Sequence, residues 1–143
     1  MKDPNNPLKR RAAAAGLTMV DRTVIPSTRR AHEAAEFART EGKLDAMCAA
    51  LLRRYWSEGQ DLWALATLRG AAQDVALDPD ELERAIAEGT FREAVEARVR
   101  DAQEVGVRAV PTFLFDGKLA LEGAQEYPVF QQVMRKLGAP PRA

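Results

Sequence analysis

The sequence predicts a mostly α-helical chain with one small antiparallel β-hairpin, an α+β fold, on two observations. Short stretches with apolar residues at about every third or fourth position recur along the chain between glycines and prolines, and this spacing is typical of amphipathic helices. Near the end, residues 109–115 form an apolar run rich in β-branched and aromatic side chains, followed by Asp116-Gly117. Such a run before Asp-Gly is a strong hairpin signal.

Most predicted helices begin at a capping residue or proline and end near a glycine, because side-chain oxygens satisfy free N–H groups at a helix start and glycine adopts the left-handed conformation after its end. The predicted starts are Asn6-Pro7, Ser27 or Thr28, Lys43, Asp61, Asp78-Pro79, Thr90 and Tyr127-Pro128. The predicted stops are Gly16, Gly42, Gly59, Gly89, Gly106 and Gly138. These boundaries predict six or seven helices, with residues 17–25 as an extended connector. In the helix that starts at Thr90, Val95 and Val99 are expected to face inward.

The hairpin prediction specifies its turn and its first residues. The almost continuous apolarity of residues 109–115 favours a strand that is covered on both faces. Pro111 has no N–H, which places it at the beginning or edge of that strand. A two-residue type I′ turn at Asp116-Gly117 requires positive φ at both positions. We therefore expect the second strand to run from Lys118 to Leu121.

Composition excludes several functional classes. The 143 residues suit one compact domain with its own core. Lys plus Arg and Asp plus Glu both number 21, so no net field attracts the protein to nucleic acid or a membrane surface. No apolar run approaches the about 18 residues that span a bilayer. The sequence opens without an apolar segment of the kind that marks secretion, which favours a cytoplasmic protein.

The single cysteine and single histidine limit the possible chemistry. With Cys48 alone, the chain contains neither an internal disulfide nor a Cys-x-x-Cys centre, and with His32 alone it lacks the ligands for a Cys/His zinc site. Cys48 follows the apolar spacing of its helix, which favours a core role over a nucleophile. The sequence identifies no partner for His32 as a general base. We therefore predict no catalytic and no metal-binding residue, and we expect the pairs Arg29-Arg30 and Arg53-Arg54 to be solvated.

Four stretches together resemble the DsbA-like branch of the thioredoxin superfamily, especially its cytoplasmic members. Those members include thiol:disulfide oxidoreductases, 2-hydroxychromene-2-carboxylate isomerases and kappa-class glutathione transferases. The stretches are STRRAH from Ser27, EGQDL from Glu58, GVRAVPTF from Gly106 and EGAQ from Glu122. The resemblance implies a partial DsbA-like thioredoxin fold with an inserted helical domain. It divides the chain into an N-terminal helix and connector (1–26), the helical insert (27–105), and the hairpin with the last helix (106–143).

The resemblance also implies a binding site. In the family, the bond before the equivalent of Pro111 is cis, and the preceding residue pairs through its backbone with an extended peptide or with glutathione. The site residues carried over are Ala109, Val110, Pro111 and Thr112, with Ala109 where the family often has glycine. An inherited structural turn with no ligand is the alternative. The family's first strand and its redox Cys-x-x-Cys, or a serine in other branches, would precede residue 1.

Three functional hypotheses follow from this resemblance. In the first, the chain is a non-catalytic, dimeric family member that binds a peptide or small thiol at Val110-Pro111. In the other two, it is part of an active oxidoreductase, or of an isomerase-like or glutathione transferase-like enzyme, whose first third is truncated. An isolated hairpin is marginally stable and its bare edge invites pairing. We therefore expect a homodimer through the hairpin edge, no activity in disulfide exchange by this chain alone, and no cofactor other than possible glutathione.

Overall fold

A computed structural model describes residues 6–21, 25–117 and 119–139. Within them the chain forms seven α-helices and two β-strands. In chain order these are α1 (Pro7–Ala14), α2 (Arg29–Thr40), α3 (Leu44–Trp56), α4 (Leu65–Asp74), α5 (Pro79–Glu88), α6 (Arg92–Glu104), β1 (Thr112–Phe115), β2 (Leu119–Glu122) and α7 (Tyr127–Lys136). The predicted α+β fold is confirmed. The predicted strand start at Lys118 lies outside the described residues, as do residues 22–24 of the predicted connector.

The chain divides into two compact units, Met1–Arg98 and Val99–Ala143. The first unit contains the hydrophobic core, in which Met47, Leu68 and Leu82 are fully buried. The core residues come from α2, α3, α4, α5 and two connecting loops. They are Ala31, Ala34, Phe37, Ala38, Met47, Ala50, Leu51, Leu62, Leu68, Ala71, Ala72, Leu77, Leu82, Ala85 and Ile86. None of the described helices is long and apolar enough to cross a membrane.

Two of the predicted helix starts are confirmed in atomic detail. The side chain of Asn6 accepts a hydrogen bond from the Leu8 N–H at 2.9 Å, with Pro7 at the first helical position. The carboxylate of Asp78 accepts from the N–H groups of Asp80 at 2.8 Å and Glu81 at 3.2 Å. The bonds from Glu81 and then Asp80 lower the pKa of Asp78, because they favour its charged form.

Other predicted boundaries are wrong. Helix α4 begins at Leu65 rather than at Asp61, because the Asp61 carboxylate accepts from the Trp63 N–H at 2.8 Å and closes a separate turn before the helix. Helix α6 begins at Arg92 rather than at Thr90. At Asp61 a turn closed by the side chain competes with the start of a helix, and a capping pattern alone does not show which of the two forms.

The predicted orientation of Val99 is also wrong. We expected this residue to face inward, and it is 52% exposed.

The second unit is built around the hairpin. Asp116 and Gly117 have φ values of 51° and 64°, as the predicted turn requires. Phe115 lies opposite Leu119, and the predicted end of the two-residue turn, at Lys118, lies outside the described residues.

Helix α7 contributes Phe130, whose ring meets Phe113 edge-on with the ring centroids 4.9 Å apart. No described residue from 99 to 139 is buried, and Leu114 in β1 is 57% exposed. The expectation of a strand covered on both faces is therefore wrong for the described residues, because the two-stranded sheet offers no layer for the second face.

Candidate ligand-binding loop

The loop that enters β1 is the segment 109–112, which carries the four site residues taken over from the resemblance. The Val110–Pro111 peptide bond is cis. Ala109, Val110 and Pro111 are exposed and Thr112 is half-buried. Val110 is 89% exposed. The loop therefore presents its backbone at the surface.

The two carbonyls that flank Val110, those of Ala109 and Pro111, each accept a hydrogen bond. The Thr112 hydroxyl donates to the Ala109 carbonyl at 2.6 Å. The Gly123 N–H, from the turn after β2, donates to the Pro111 carbonyl at 2.8 Å. Among the described residues, the N–H and the C=O of Val110 have no hydrogen-bond partner. One residue of this loop thus keeps both backbone groups available for an incoming extended segment.

The turn at residues 122–125 supports the loop from the second strand. Gly123 has a φ of +80°, a conformation that residues with a Cβ adopt only at a cost. The Gln125 side-chain amide donates to the Glu122 carbonyl at 2.8 Å and closes this turn. In the sequence the stretch was one of the four family-like motifs, but nothing in its composition indicated that Gly123 contacts Pro111.

Cys48 and His32 lie on different helices. Cys48 is a free, half-buried thiol within α3. His32 is exposed on α2. Within the described part of the chain, no three His, Cys, Asp or Glu side chains are grouped so that they could hold a metal ion.

The arginine pairs are less solvated than expected. The Arg30 guanidinium lies 4.1 Å from the centre of the Trp63 ring and donates to the Trp63 carbonyl at 3.0 Å. The side chain of Arg54 is 14% exposed, and it donates to Asp74 at 2.8 and 3.0 Å. Arg54 thereby lowers the pKa of Asp74. The prediction of solvated faces is wrong for these two residues, because each finds a planar or anionic partner on a neighbouring segment.

The fold and the comparisons together define the class of protein. A family model, the DSBA-like thioredoxin domain, matches residues 4–135. The chain therefore belongs to the DsbA-like thioredoxin family.

One solved structure gives the clearest comparison. It is a crystal structure of a probable DsbA oxidoreductase from Streptomyces coelicolor, which is 27% identical and aligns with a TM-score of 0.82. The alignment covers 95% of this chain and 60% of that chain, so this chain spans less than two thirds of its relative's length. No curated protein matches the chain.

Proposed function

We propose that this chain binds an extended peptide, or the tripeptide thiol glutathione, by backbone pairing with Val110, and that it does not itself exchange disulfides. The proposal rests on which backbone groups of the loop already have hydrogen-bond partners. The carbonyls of Ala109 and Pro111 are engaged, whereas both backbone groups of the exposed Val110 have no partner among the described residues. Strand addition of this kind is a recurring mode of peptide recognition.

The free energies of the individual contacts determine the expected affinity. Two backbone hydrogen bonds contribute about 2 kcal/mol in total, since each is worth about 1 kcal/mol net of the bonds lost to water. A Kd of about 1 mM corresponds to about 4 kcal/mol. Apolar contacts between the ligand and exposed side chains such as Val110 must therefore supply the remainder. We expect weak binding that favours peptides with apolar residues.

The test is a titration with two matched peptides, acetyl-AAVAA-amide and the same peptide N-methylated at its central residue, together with reduced glutathione. N-methylation removes one hydrogen-bond donor and keeps the side chain. We expect the N-methylated peptide to bind about 3- to 10-fold more weakly, the ratio expected for one lost hydrogen bond. Val110→Ala keeps the backbone groups and should preserve this ratio. Equal binding of the two peptides, or no binding of any probe, contradicts the proposal.

A second candidate is that the chain forms part of a disulfide oxidoreductase, or of an isomerase-like or glutathione transferase-like enzyme. The similarity to a probable DsbA oxidoreductase, of which this chain covers 60%, favours it. Because the sequence holds only Cys48, residues outside these 143 would have to provide the redox pair. The intact mass of the protein from its native host distinguishes the candidates: 15.8 kDa favours the first, and a larger mass the second.

The proposed assembly is a homodimer that pairs through the hairpin edge. Its support is the two-stranded sheet of the second unit, in which the apolar strand β1 pairs only with β2 among the described residues. An unprotected edge of this kind is prone to pair with another strand. Sedimentation showing a folded monomer at micromolar concentration would defeat the proposal. The resemblance to cytoplasmic family members supports a cytoplasmic location, which cell fractionation tests.

A further inference from the structure

We infer that Thr112 is a positioning residue, whose hydroxyl holds the Val110 backbone in the geometry that binds a ligand; this rests on the proposed function. Thr112 acts through Ala109, because its hydroxyl donates to the Ala109 carbonyl at 2.6 Å. The bond closes a loop of four residues around Val110. It also occupies the Ala109 carbonyl, which would otherwise compete with Val110 as an acceptor for the ligand.

The loop is held by hydrogen bonds on both sides of Val110. Thr112 holds the carbonyl before Val110, and Gly123 holds the carbonyl of Pro111 after it at 2.8 Å. The two donors belong to β1 and to the turn after β2, so the hairpin itself carries both. A loop held in this way has less conformational freedom to lose when a ligand pairs with it, and such preorganisation increases affinity.

The residue type at position 112 fits this role. Threonine restricts its own χ1 torsion, because two heavy atoms branch from Cβ. Its hydroxyl is therefore held towards the loop with little entropic cost, and the remaining methyl group suits a half-buried strand position. Serine retains the hydroxyl but not the branch, and valine retains the branch but not the hydroxyl. The two substitutions separate the hydrogen bond from the packing.

The experiment compares Thr112→Val and Thr112→Ser by titration with acetyl-AAVAA-amide and its N-methylated analogue. We expect the Kd for the plain peptide to rise about 3- to 10-fold in Thr112→Val, as for one lost hydrogen bond. In Thr112→Ser it should stay within about twofold of the wild type, because the hydroxyl is retained. In Thr112→Val, the ratio between the two peptides should also fall towards one.

Thr40 provides the matched control, because its hydroxyl donates to the Phe37 carbonyl at 2.7 Å across the same three-residue separation at the end of α2. Thr40→Val should change thermal stability and leave peptide binding unchanged. If Thr112→Val does not fold, Thr112→Ala removes the hydroxyl without changing the prediction.

Two outcomes separate the failure of this inference from that of the proposed function. Wild-type protein that distinguishes the two peptides, with a Thr112→Val variant that binds equally well, overturns the role of Thr112 alone. Wild-type protein that binds neither peptide overturns both.

Discussion

The guanidinium of Arg54 occupies the space in which a side chain at Gly70 would begin. A Cβ at position 70 would lie 2.8 to 2.9 Å from three guanidinium atoms of Arg54. Gly70 lies within α4, where glycine is unfavourable relative to alanine by about 1 kcal/mol. Its presence there lets Arg54, from α3, lie across α4 and donate to Asp74 and Gln60. The helix thus accommodates a hydrogen-bonded contact at the expense of intrinsic helix propensity.

Gly70→Ala should therefore stabilise the protein by less than the about 1 kcal/mol that helix propensity alone would give, because the Arg54 guanidinium must first move from its hydrogen-bonded position. In an Arg54→Ala background the same substitution should stabilise by about 1 kcal/mol, since only the propensity gain remains. Urea denaturation of the four proteins in this double-mutant cycle measures both values. Equal effects of Gly70→Ala in both backgrounds would contradict this role of Arg54.

Glu36 predicts a pH dependence of stability. This buried carboxylate of α2 accepts from Arg98 at 2.5 Å and from Arg39 at 3.1 and 3.3 Å. Arg98 first, and then Arg39, lower its pKa below the ordinary value of 4.5, against the opposing effect of burial. The folded state therefore favours the charged form. Its stabilising contribution is fully present above pH 4.5 and is lost as the pH falls through the lower, folded-state pKa.

Glu36→Gln should accordingly be less stable than the wild type at pH 7 by about 1 kcal/mol, less than for a fully buried pair because both arginines are half-exposed. The difference should shrink progressively below pH 4.5, where the wild-type carboxyl becomes neutral like glutamine. Melting temperatures of both proteins from pH 7 to pH 3 provide the comparison. A difference that stays constant or grows towards acid pH would show that Arg98 and Arg39 do not stabilise the charge.

Phe130 should determine whether α7 stays against the hairpin. Its ring contacts Phe113 and Phe115 edge-on, with centroids 4.9 and 6.2 Å apart. Phe130→Ala removes both contacts, and we expect a local loss of about 2 kcal/mol, below the 3–5 kcal/mol of a core phenylalanine because the site is half-buried. Hydrogen exchange should then accelerate in β1, β2 and α7. Phe130→Leu, which retains most of the apolar surface, should behave like the wild type; unchanged exchange in Phe130→Ala would contradict the role.

The chain alone should not reduce insulin disulfides. Its only thiol, Cys48, is half-buried within α3, and thiol–disulfide exchange of the thioredoxin type requires a second, resolving cysteine. We expect no turnover above the dithiothreitol background, with or without Cys48→Ala. Turnover that persists in Cys48→Ala would contradict this prediction and would point to chemistry outside the thiol.

Helix boundaries set by strong local signals were predictable from the sequence. Asn6-Pro7 and Asp78-Pro79 begin helices as expected, because a side-chain acceptor and a preset φ act within one turn. The start at Asp61 was mispredicted, since the same side chain can close a turn instead. The burial of Glu33 and Glu36 was not predicted, and the charge of Glu36 depends on Arg98, 62 positions away.

The candidate loop was predictable only through the family resemblance. Val110-Pro111-Thr112 followed a recognisable motif, and the structure describes the loop at the exposed start of β1. The role of Gly123 was not predictable, because its bond to Pro111 depends on the register between β1 and β2. Such pairing between strands leaves no local trace in composition.

The most direct test of the central claim is the amide signal of Val110 in a nitrogen-15 NMR titration with acetyl-AAVAA-amide. We expect a saturable shift of the Val110 amide, together with slower exchange of its proton with solvent. Under the same conditions the N-methylated peptide should produce a much smaller change. Shifts confined to other parts of the protein, with the Val110 amide unmoved at saturation, would contradict backbone pairing at this loop.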